Sequence, residues 1–332
     1  MFSLHFSIQR FLKDAVVKKC NYALIEVTSQ GVLQYRHRFI DFDACLLTNL
    51  EPEHIEAHGS FENYRDAKVK FFKDSADFSS KQNKIFIINE NAREKEYFME
   101  AVKNKGEQVF FNKNEAINSG INSKLIGDFN MENIAAAVAF ARSQNINWEV
   151  IKKTIENFEG VPGRLEFIQR EPFSIVVDYA HTPDSLEKVY KALNGSPSTS
   201  LGTSTQIRPR LICVLGAAGG GRDKWKRPVM GKIASEYCNQ IILTDEDPFD
   251  ENPDQILSEI ESGATSVKSK ATSIKKILDR KEAIRTAIKD AKAGDTVVIT
   301  GKGSELYMRV ADNKKIPWSD KKIVLDVLKN LK

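Results

Sequence analysis

The chain has 332 residues, 41% hydrophobic and 28% charged, which suffices for roughly two globular domains with buried cores. Its 49 Lys and Arg stand against 45 Asp and Glu, and a net charge of +4 over this length does not point to nucleic acid, although a phosphorylated small molecule stays compatible. The cysteines Cys20, Cys45, Cys213 and Cys238 lie far apart, form no C-x-x-C pair and sit mostly beside apolar residues, which reads as reduced thiols and a cytoplasmic location.

Arg10, Lys13, Asp14, Lys18 and Lys19 interrupt the apolar residues of the first twenty positions, so the segment is neither a signal h-region nor a membrane span. Ile8, Phe11, Leu12, Ala15 and Val16 make a helical stripe instead, and Tyr22 to Val27 reads as a buried strand. Cys45 to Thr48 and Lys84 to Ile88 read as two more strands, with amphipathic helices around Tyr64 to Phe72 and Ala92 to Lys103. That alternation predicts a parallel sheet. Helices are expected over Asn130 to Arg142 and Trp148 to Phe158, and the turn Gly160-Val-Pro-Gly163 places a domain boundary between residues 160 and 161.

Beyond it, Ile175 to Val177, Leu211 to Leu215, Ile241 to Leu243 and Val297 to Ile299 alternate with helical patterns near 184–193, 228–237, 254–262 and 281–291. This predicts a second, Rossmann-like α/β unit over 161–332. Asn194 to Arg210, rich in Gly, Ser, Thr and Pro, is expected to be a mobile surface loop.

The residues suited to chemistry follow strands. His54 and His58, spaced i, i+4 after the Cys45 strand, could share a helical face as metal ligands, while a capped turn with solvated histidines is the competing reading. Lys68 lies in an amphipathic helix. It would ordinarily snorkel to water. A buried lysine, however, loses its proton easily, and the neutral amine can react with carbon dioxide to give a carbamate, a metal-binding carboxylate.

In the second unit Asp178-Tyr-Ala-His181-Thr-Pro-Asp184 joins a strand end to a helix start with Pro183 near N1. Gly216 to Pro228 is a glycine-rich turn bearing Arg222, Lys224, Lys226 and Arg227, suited to an anion. Asp245-Glu-Asp247-Pro-Phe249 and Gly301-Lys-Gly-Ser-Glu305 also follow strands, so four polar loops should share one sheet edge. No G-x-x-x-x-G-K-[ST] occurs anywhere in the sequence.

These blocks together resemble the Mur ligases. Glu26-Val-Thr-Ser29 with Arg36, Thr48-Asn-Leu with His54, His58 and Gly59, and Tyr64 with Lys68 are similar to the family's central-domain blocks. Val161-Pro-Gly-Arg164-Leu-Glu166, the Asp178 block, Gly219 to Pro228, Asp245 to Pro248 and Gly301 to Glu305 are similar to its carboxy-terminal blocks. The most similar branch is the UDP-N-acetylmuramoyl-tripeptide synthetases. The resemblance implies a truncated central domain over 1–160 and a carboxy-terminal amino-acid-binding domain over 161–332.

The implied reaction uses ATP to phosphorylate the carboxylate of a UDP-N-acetylmuramoyl-dipeptide, and an amino acid's amine then displaces the phosphate. His54, Glu26 and Lys68, the last as a carbamate, would bind Mg²⁺, and Thr28 and Arg36 would contact the muramoyl substrate. Asn133, Arg164, Asp178 and His181 would contact the nucleotide, and Arg222, Asp247, Gly301 and Glu305 the incoming amino acid.

Two departures stand out. Members that use diaminopimelate end the loop at position 249 in an arginine that grips the distal carboxylate, whereas this chain has Phe249, so diaminopimelate, lysine or another amino acid remains open. The family's uridine-binding domain and G-T-x-G-K-T loop would also lie upstream of the helix that opens this sequence. Little ligase activity is therefore expected of this polypeptide alone, along with an exposed sheet edge. Three readings follow: a ligase recorded incompletely or supplied with its phosphate loop by a separate chain, a non-catalytic remnant that binds nucleotide or cell-wall precursor, or a related folylpolyglutamate or cyanophycin synthetase.

Overall fold

The computed structural model describes residues 2–195, 210–266 and 270–330, so most of the expected mobile loop, residues 196–209, lies outside the described residues. The chain forms two compact units, Met1–Ser119 with Glu132–Ile151, and Gly120–Met131 with Lys152–Lys332.

In the first unit, helices α1 (Phe2–Val17) and α2 (Ser29–Leu33) precede strand β1 (Ala44–Leu47). There follow α3 (Ile55–His58), α4 (Phe61–Phe78), β2 (Ile85–Asn89), α5 (Lys95–Ala101), β3 (Glu107–Phe111) and α6 (Lys113–Asn118). Helices α7 (Asp128–Ser143) and α8 (Trp148–Asn157) come next, this unit holding α7 from Glu132 onward and α8 as far as Ile151. The three strands are parallel in the order β1-β2-β3, with Cys45 opposite Phe86 and Ile87 opposite Val109. Helix α4 starts where Ser60 accepts the Asn63 N–H at 3.1 Å. Its Tyr64, Ala67, Phe71 and Ala76 recur at helical spacing and are buried. Phe72 meets Phe98 edge-on at 5.2 Å, and Phe42 meets Phe71 at 5.1 Å, contacts each worth about 0.5–1.5 kcal/mol beyond burial. The same spacing stacks Tyr64 and Lys68 one turn apart.

The segment Tyr22 to Val27 is not a strand, which corrects the expectation. It pairs with no strand among the described residues, and Leu24 is 82% exposed while Val27 packs on the edge of the first unit's core.

The second unit contains β4 (Glu166–Gln169), β5 (Ser174–Val177), α9 (Pro183–Gly195), β6 (Leu211–Leu215), α10 (Lys226–Tyr237), β7 (Gln240–Leu243) and α11 (Pro253–Thr265). It continues through β8 (Ser273–Lys276), α12 (Arg280–Asp290), β9 (Thr296–Ile299), the hairpin β10 (Tyr307–Val310) with β11 (Lys314–Pro317), and α13 (Asp320–Asn330). The sheet order is β4-β5-β9-β6-β7-β8, antiparallel at β4 and parallel elsewhere. Alternate residues divide between two cores, Cys213, Leu215, Ile241 and Val298 facing α9, α10 and α11, and Ile212, Val214, Ile242 and Val297 facing α12 and α13. Helices α10 and α11 approach so closely that a Cβ on Gly263 would lie 1.8 Å from the Pro228 carbonyl oxygen, so the contact requires glycine.

Cys213 and Cys238 form a disulfide, which corrects the expectation of four reduced thiols. Strand β6 and the end of α10 bring their Cα atoms to 6.0 Å, inside the range a disulfide spans, and a separation of 25 residues carries no trace of that approach. Cys20 and Cys45 are free, and burial pushes the Cys45 thiol up to about 11.

On the α12 face, Arg280 and Asp320 form an ion pair at 2.8 Å whose side chains are both 0% exposed. Removing one partner of such a pair strands the other charge away from water. Asp320→Ala is expected to lower the unfolding free energy by about 3 kcal/mol or more. Urea denaturation measures this, and a loss under about 1 kcal/mol would remove the pair from any central role.

Candidate functional site

In the first unit the candidate groups gather around Tyr64. His54 is the N-cap of α3 and sits in the left-handed region at φ 56°, a strained position for a non-glycine residue. His58 ends that four-residue helix and Gly59 caps it, so the i, i+4 pair brackets a single turn. The His54 and His58 rings lie 6.3 and 5.5 Å from the Tyr64 ring. The His58 Nε2 and the Ser29 hydroxyl are 3.0 Å apart, and burial, then the charge of His54, lowers the His58 pKa.

The Lys68 ammonium lies 5.1 Å from the centre of the Tyr64 ring. Desolvation lowers its pKa, opposed by the negative charges of Glu53 and Glu26. Lys68 makes no ion pair with either carboxylate among the described residues. Thr28 caps α2 by accepting the Gly31 N–H at 3.1 Å, and Arg36 is half-buried just beyond that helix. Asn133 is exposed on α7. Among the described residues no three His, Cys, Asp or Glu side chains are arranged to hold a metal ion.

In the second unit the carboxyl ends of β5, β9, β6 and β7 are neighbours on one sheet edge, and the four polar loops meet there as expected. The Asp178 carboxylate accepts the N–H groups of Leu165 and Ala180, both at 2.6 Å, which ties the turn after Gly160 to the end of β5. Burial raises its pKa against those two bonds and against Arg164 and His181. The Arg164 guanidinium lies 4.2 Å over the Tyr179 ring, which meets the His181 ring edge-on at 4.6 Å. His181 Nδ1 donates to the Tyr179 carbonyl at 2.8 Å, which leaves Nε2 as the other ring nitrogen. A Cβ on Gly163 would lie 2.2 Å from the Ser304 nitrogen, so the turn bearing Arg164 packs directly on the loop after β9.

That loop opens at Gly301, whose φ of 107° favours glycine and whose backbone lies against the Glu246 carboxylate. Lys302 is buried and bonds Asp247 at 2.8 Å and Glu305. Glu246 is 5% exposed with Oε2 unpartnered; burial raises its pKa, and Arg280, His181, Lys226 and Lys302 oppose the rise.

The glycine-rich turn is less cationic than its sequence implies. Arg227 is buried between Glu251 and Glu259, Lys224 also pairs with Glu251, and Lys226 donates to the His181 carbonyl. Arg222 is exposed at the tip.

Sequence reasoning missed Asn130, which donates to the Ile126 carbonyl at 2.8 Å and lines a cleft of about 430 Å³ with Leu125, Ile126, Pro162, Arg164 and Phe167. Its spacing from Gly127 at the start of α7 was the available signal. Arg280, buried and bonded to loop carbonyls, was also missed, because in sequence it is one of 49 cations.

The chain is thus an α/β protein of two units, a parallel sheet and a Rossmann-like unit with four polar strand-end loops. Residues 2–141 match the Mur ligase middle domain, and residues 163–303 match the Mur ligase, glutamate ligase domain. The UDP-N-acetylmuramoyl-L-alanyl-D-glutamate–2,6-diaminopimelate ligase of Syntrophomonas wolfei is 34% identical, over 97% of this chain and 67% of that protein. The enzyme of the same name from Helicobacter pylori is 33% identical, over 97% of this chain and 71% of that one. A solved structure of a ligase of this name is 27% identical with a TM-score of 0.56, covering 98% of this chain and 68% of the other. The chain belongs to the Mur ligase family, whose members are ATP-dependent ligases that form C–N bonds.

At the β7 end, burial pushes the Asp245 carboxyl up to about 6, and the charges of Glu246 and Asp247 add to the rise while the Glu246 N–H and Arg280 oppose it. An unfolded aspartate releases its proton near pH ~4, whereas the folded chain keeps this one until about 6. Between those values the folded state binds the extra proton, so this group's contribution to stability falls as pH rises through the window. The urea midpoint of Asp245→Asn should therefore decline less between about pH 4 and 6 than that of the unaltered chain. Equal declines would exclude Asp245 as the source.

Proposed function

We propose that this chain carries the metal, nucleotide and amino-acid sites of an ATP-dependent ligase. That ligase adds the third stem-peptide residue to UDP-N-acetylmuramoyl-L-alanyl-D-glutamate in the cytoplasm. The observation that carries the proposal is Lys68, a desolvated amine on α4 that faces the charges of Glu26 and Glu53 without an ion pair to either.

A structural lysine under the same burial would be expected to take a carboxylate partner, as Lys302 does. A lowered pKa raises the neutral fraction at a given pH, and a neutral amine can add carbon dioxide with release of a proton. The carbamate would supply the donor that the histidine and carboxylate side chains alone do not complete. His54, Glu26 and carbamylated Lys68 would then hold Mg²⁺, which when bound neutralises phosphate and carboxylate oxygens.

The chain's own groups divide the remaining work. Thr28 and Arg36 would bind the muramoyl substrate. The apolar walls Leu125, Ile126 and Phe167, with Asn130 and Arg164, suit a flat, hydrogen-bonding base, and Asn133 and His181 would add contacts to the nucleotide. Asp178, whose carboxylate is turned to two backbone amides, would hold Arg164 in place from behind. Arg222, Asp247, Gly301 and Glu305 would receive the amino acid, whose amine attacks the activated acyl carbon as phosphate leaves. Excluding water from that acyl phosphate favours aminolysis over hydrolysis.

The muramoyl ligases at 33–34% identity favour this reading over the folate branch, since a folylpolyglutamate synthase from Yersinia pestis is similar in fold alone at 15% identity and a TM-score of 0.56. No match supports a separate chain supplying the phosphate loop, and none is proposed.

Because no G-x-x-x-x-G-K-[ST] is among these residues, binding tests the sites more directly than turnover. Calorimetric titration of the chain with UDP-N-acetylmuramoyl-L-alanyl-D-glutamate should show saturable binding that Arg36→Ala weakens about tenfold or more; no heat at millimolar substrate would sink the proposal. In ¹³C-bicarbonate the chain should also give a carbamate NMR signal that Lys68→Ala abolishes and that grows as pH rises toward the lysine range. A signal unchanged in Lys68→Ala would assign the carbamate elsewhere.

A further inference from the structure

The loop after β7 presents no cation at Phe249, yet the structure brings one to the same place from another element. Arg309 lies on β10, and its backbone N–H donates to Asp247 Oδ1 at 2.9 Å while its carbonyl accepts the Phe249 N–H at 3.3 Å. Phe249 also forms a β-bridge with Val310, so loop and hairpin are one piece at this point. The Arg309 guanidinium lies 5.8 Å from the centre of the Phe249 ring and 5.8 Å from that of Tyr307. Phe249 in turn rests on the glycine-rich turn that bears Arg222, since a Cβ on Gly220 would lie 2.6 Å from the ring.

Charge decides what this corner accepts. Lys302 bonds both Asp247 and Glu305, and one ammonium against two carboxylates leaves negative charge suited to an amino group, so a carboxylate of the ligand needs a separate cation. Arg309 is half-buried and forms no ion pair or side-chain hydrogen bond among the described residues. Lys315, opposite it on β11, lies over the Tyr307 ring at 4.3 Å and adds a second cation to the same hairpin face. A planar guanidinium held against aromatic rings with its donors unused suits bidentate capture of a carboxylate.

We propose that Arg309 is the specificity-determining arginine of the amino-acid site. Delivered from β10, it clamps the distal carboxylate of a diamino dicarboxylic acid, and that class is added in preference to lysine. The inference rests on the assignment of Arg222, Asp247, Gly301 and Glu305 to the amino-acid site.

The test is saturation-transfer NMR and calorimetric titration of the 332-residue chain with meso-2,6-diaminopimelate and with L-lysine, which lacks the distal carboxylate. The unaltered chain should bind diaminopimelate roughly tenfold or more tighter than lysine, the range of a charged hydrogen-bonded pair. Arg309→Ala should remove that preference and leave lysine binding unchanged. Arg309→Lys should restore it only in part, because an ammonium cannot bind both oxygens in one plane. Phe249→Arg added to Arg309→Ala should recover it.

Equal or tighter binding of lysine by the unaltered chain, or parallel loss of both ligands in Arg309→Ala with an unchanged unfolding midpoint, overturns the role of Arg309 while leaving the amino-acid site standing. Failure of both amino acids to bind the unaltered chain at millimolar concentration overturns the site itself, and the role of Arg309 with it.

Discussion

The second unit depends on one cation removed from water. Arg280 sits at the start of α12 with its guanidinium closed off, Nε and Nη2 bonded to Asp320, Nη2 also to the Thr300 carbonyl and Nη1 to the Asp245 carbonyl. A buried guanidinium must have its donors satisfied, and here the acceptors are the residues at which β7 and β9 give way to loops. The requirement that stabilises the cation thus fixes two of the four strand-end loops. Trp318 donates to the same Asp320 carboxylate at 2.8 Å, which carries the constraint into the β10–β11 hairpin through the bond from its backbone to the Leu306 carbonyl. Glu246 gains from this arrangement, because the charge of Arg280 is the first of those that oppose the rise burial imposes on it.

Two lysines show how surroundings rather than residue type set chemistry. Lys302 is buried between Asp247 and Glu305, and this triad ties one loop to the next. Lys68 is withdrawn from water on a long helix among the buried Tyr64, Ala67 and Phe71, near the tyrosine ring, with carboxylates near enough to act through their field but not in an ion pair. The first holds its nitrogen in two ion pairs, whereas desolvation in the second lowers the lysine's pKa and so raises the share of free amine. Only the second suits covalent modification of the nitrogen.

The legible parts of the sequence were those where one periodicity ran long enough to be unambiguous. Helix α4 and strands β5, β6, β7 and β9 came through because their apolar residues repeat at 3.6 or run unbroken through a sheet covered on both faces. Strands β4, β8, β10 and β11 did not, because they lie at an edge or outside the main sheet, and β11 is exposed along its whole length. Tyr22 to Val27 failed in the opposite direction, since its composition suits a strand but no partner strand is described beside it. Among the site residues, the loops after the four strands could be found because a strand's end is visible in sequence. Asn130 and Arg309 could not, because their relevance lies in what folding sets beside them.

The sequence by itself determined the order of the blocks and hence the family, because a motif is a local property of residue type and spacing. It also determined that Phe249 stands where an arginine was expected. Tertiary structure decided which charges were already answered. Arg227 in the glycine-rich turn is neutralised by Glu251 and Glu259 from beyond β7, Asp178 faces backbone amides, and Cys213 and Cys238 are joined. The availability of a charge depends on every element packed around it, and those elements come together only when the sheet has formed.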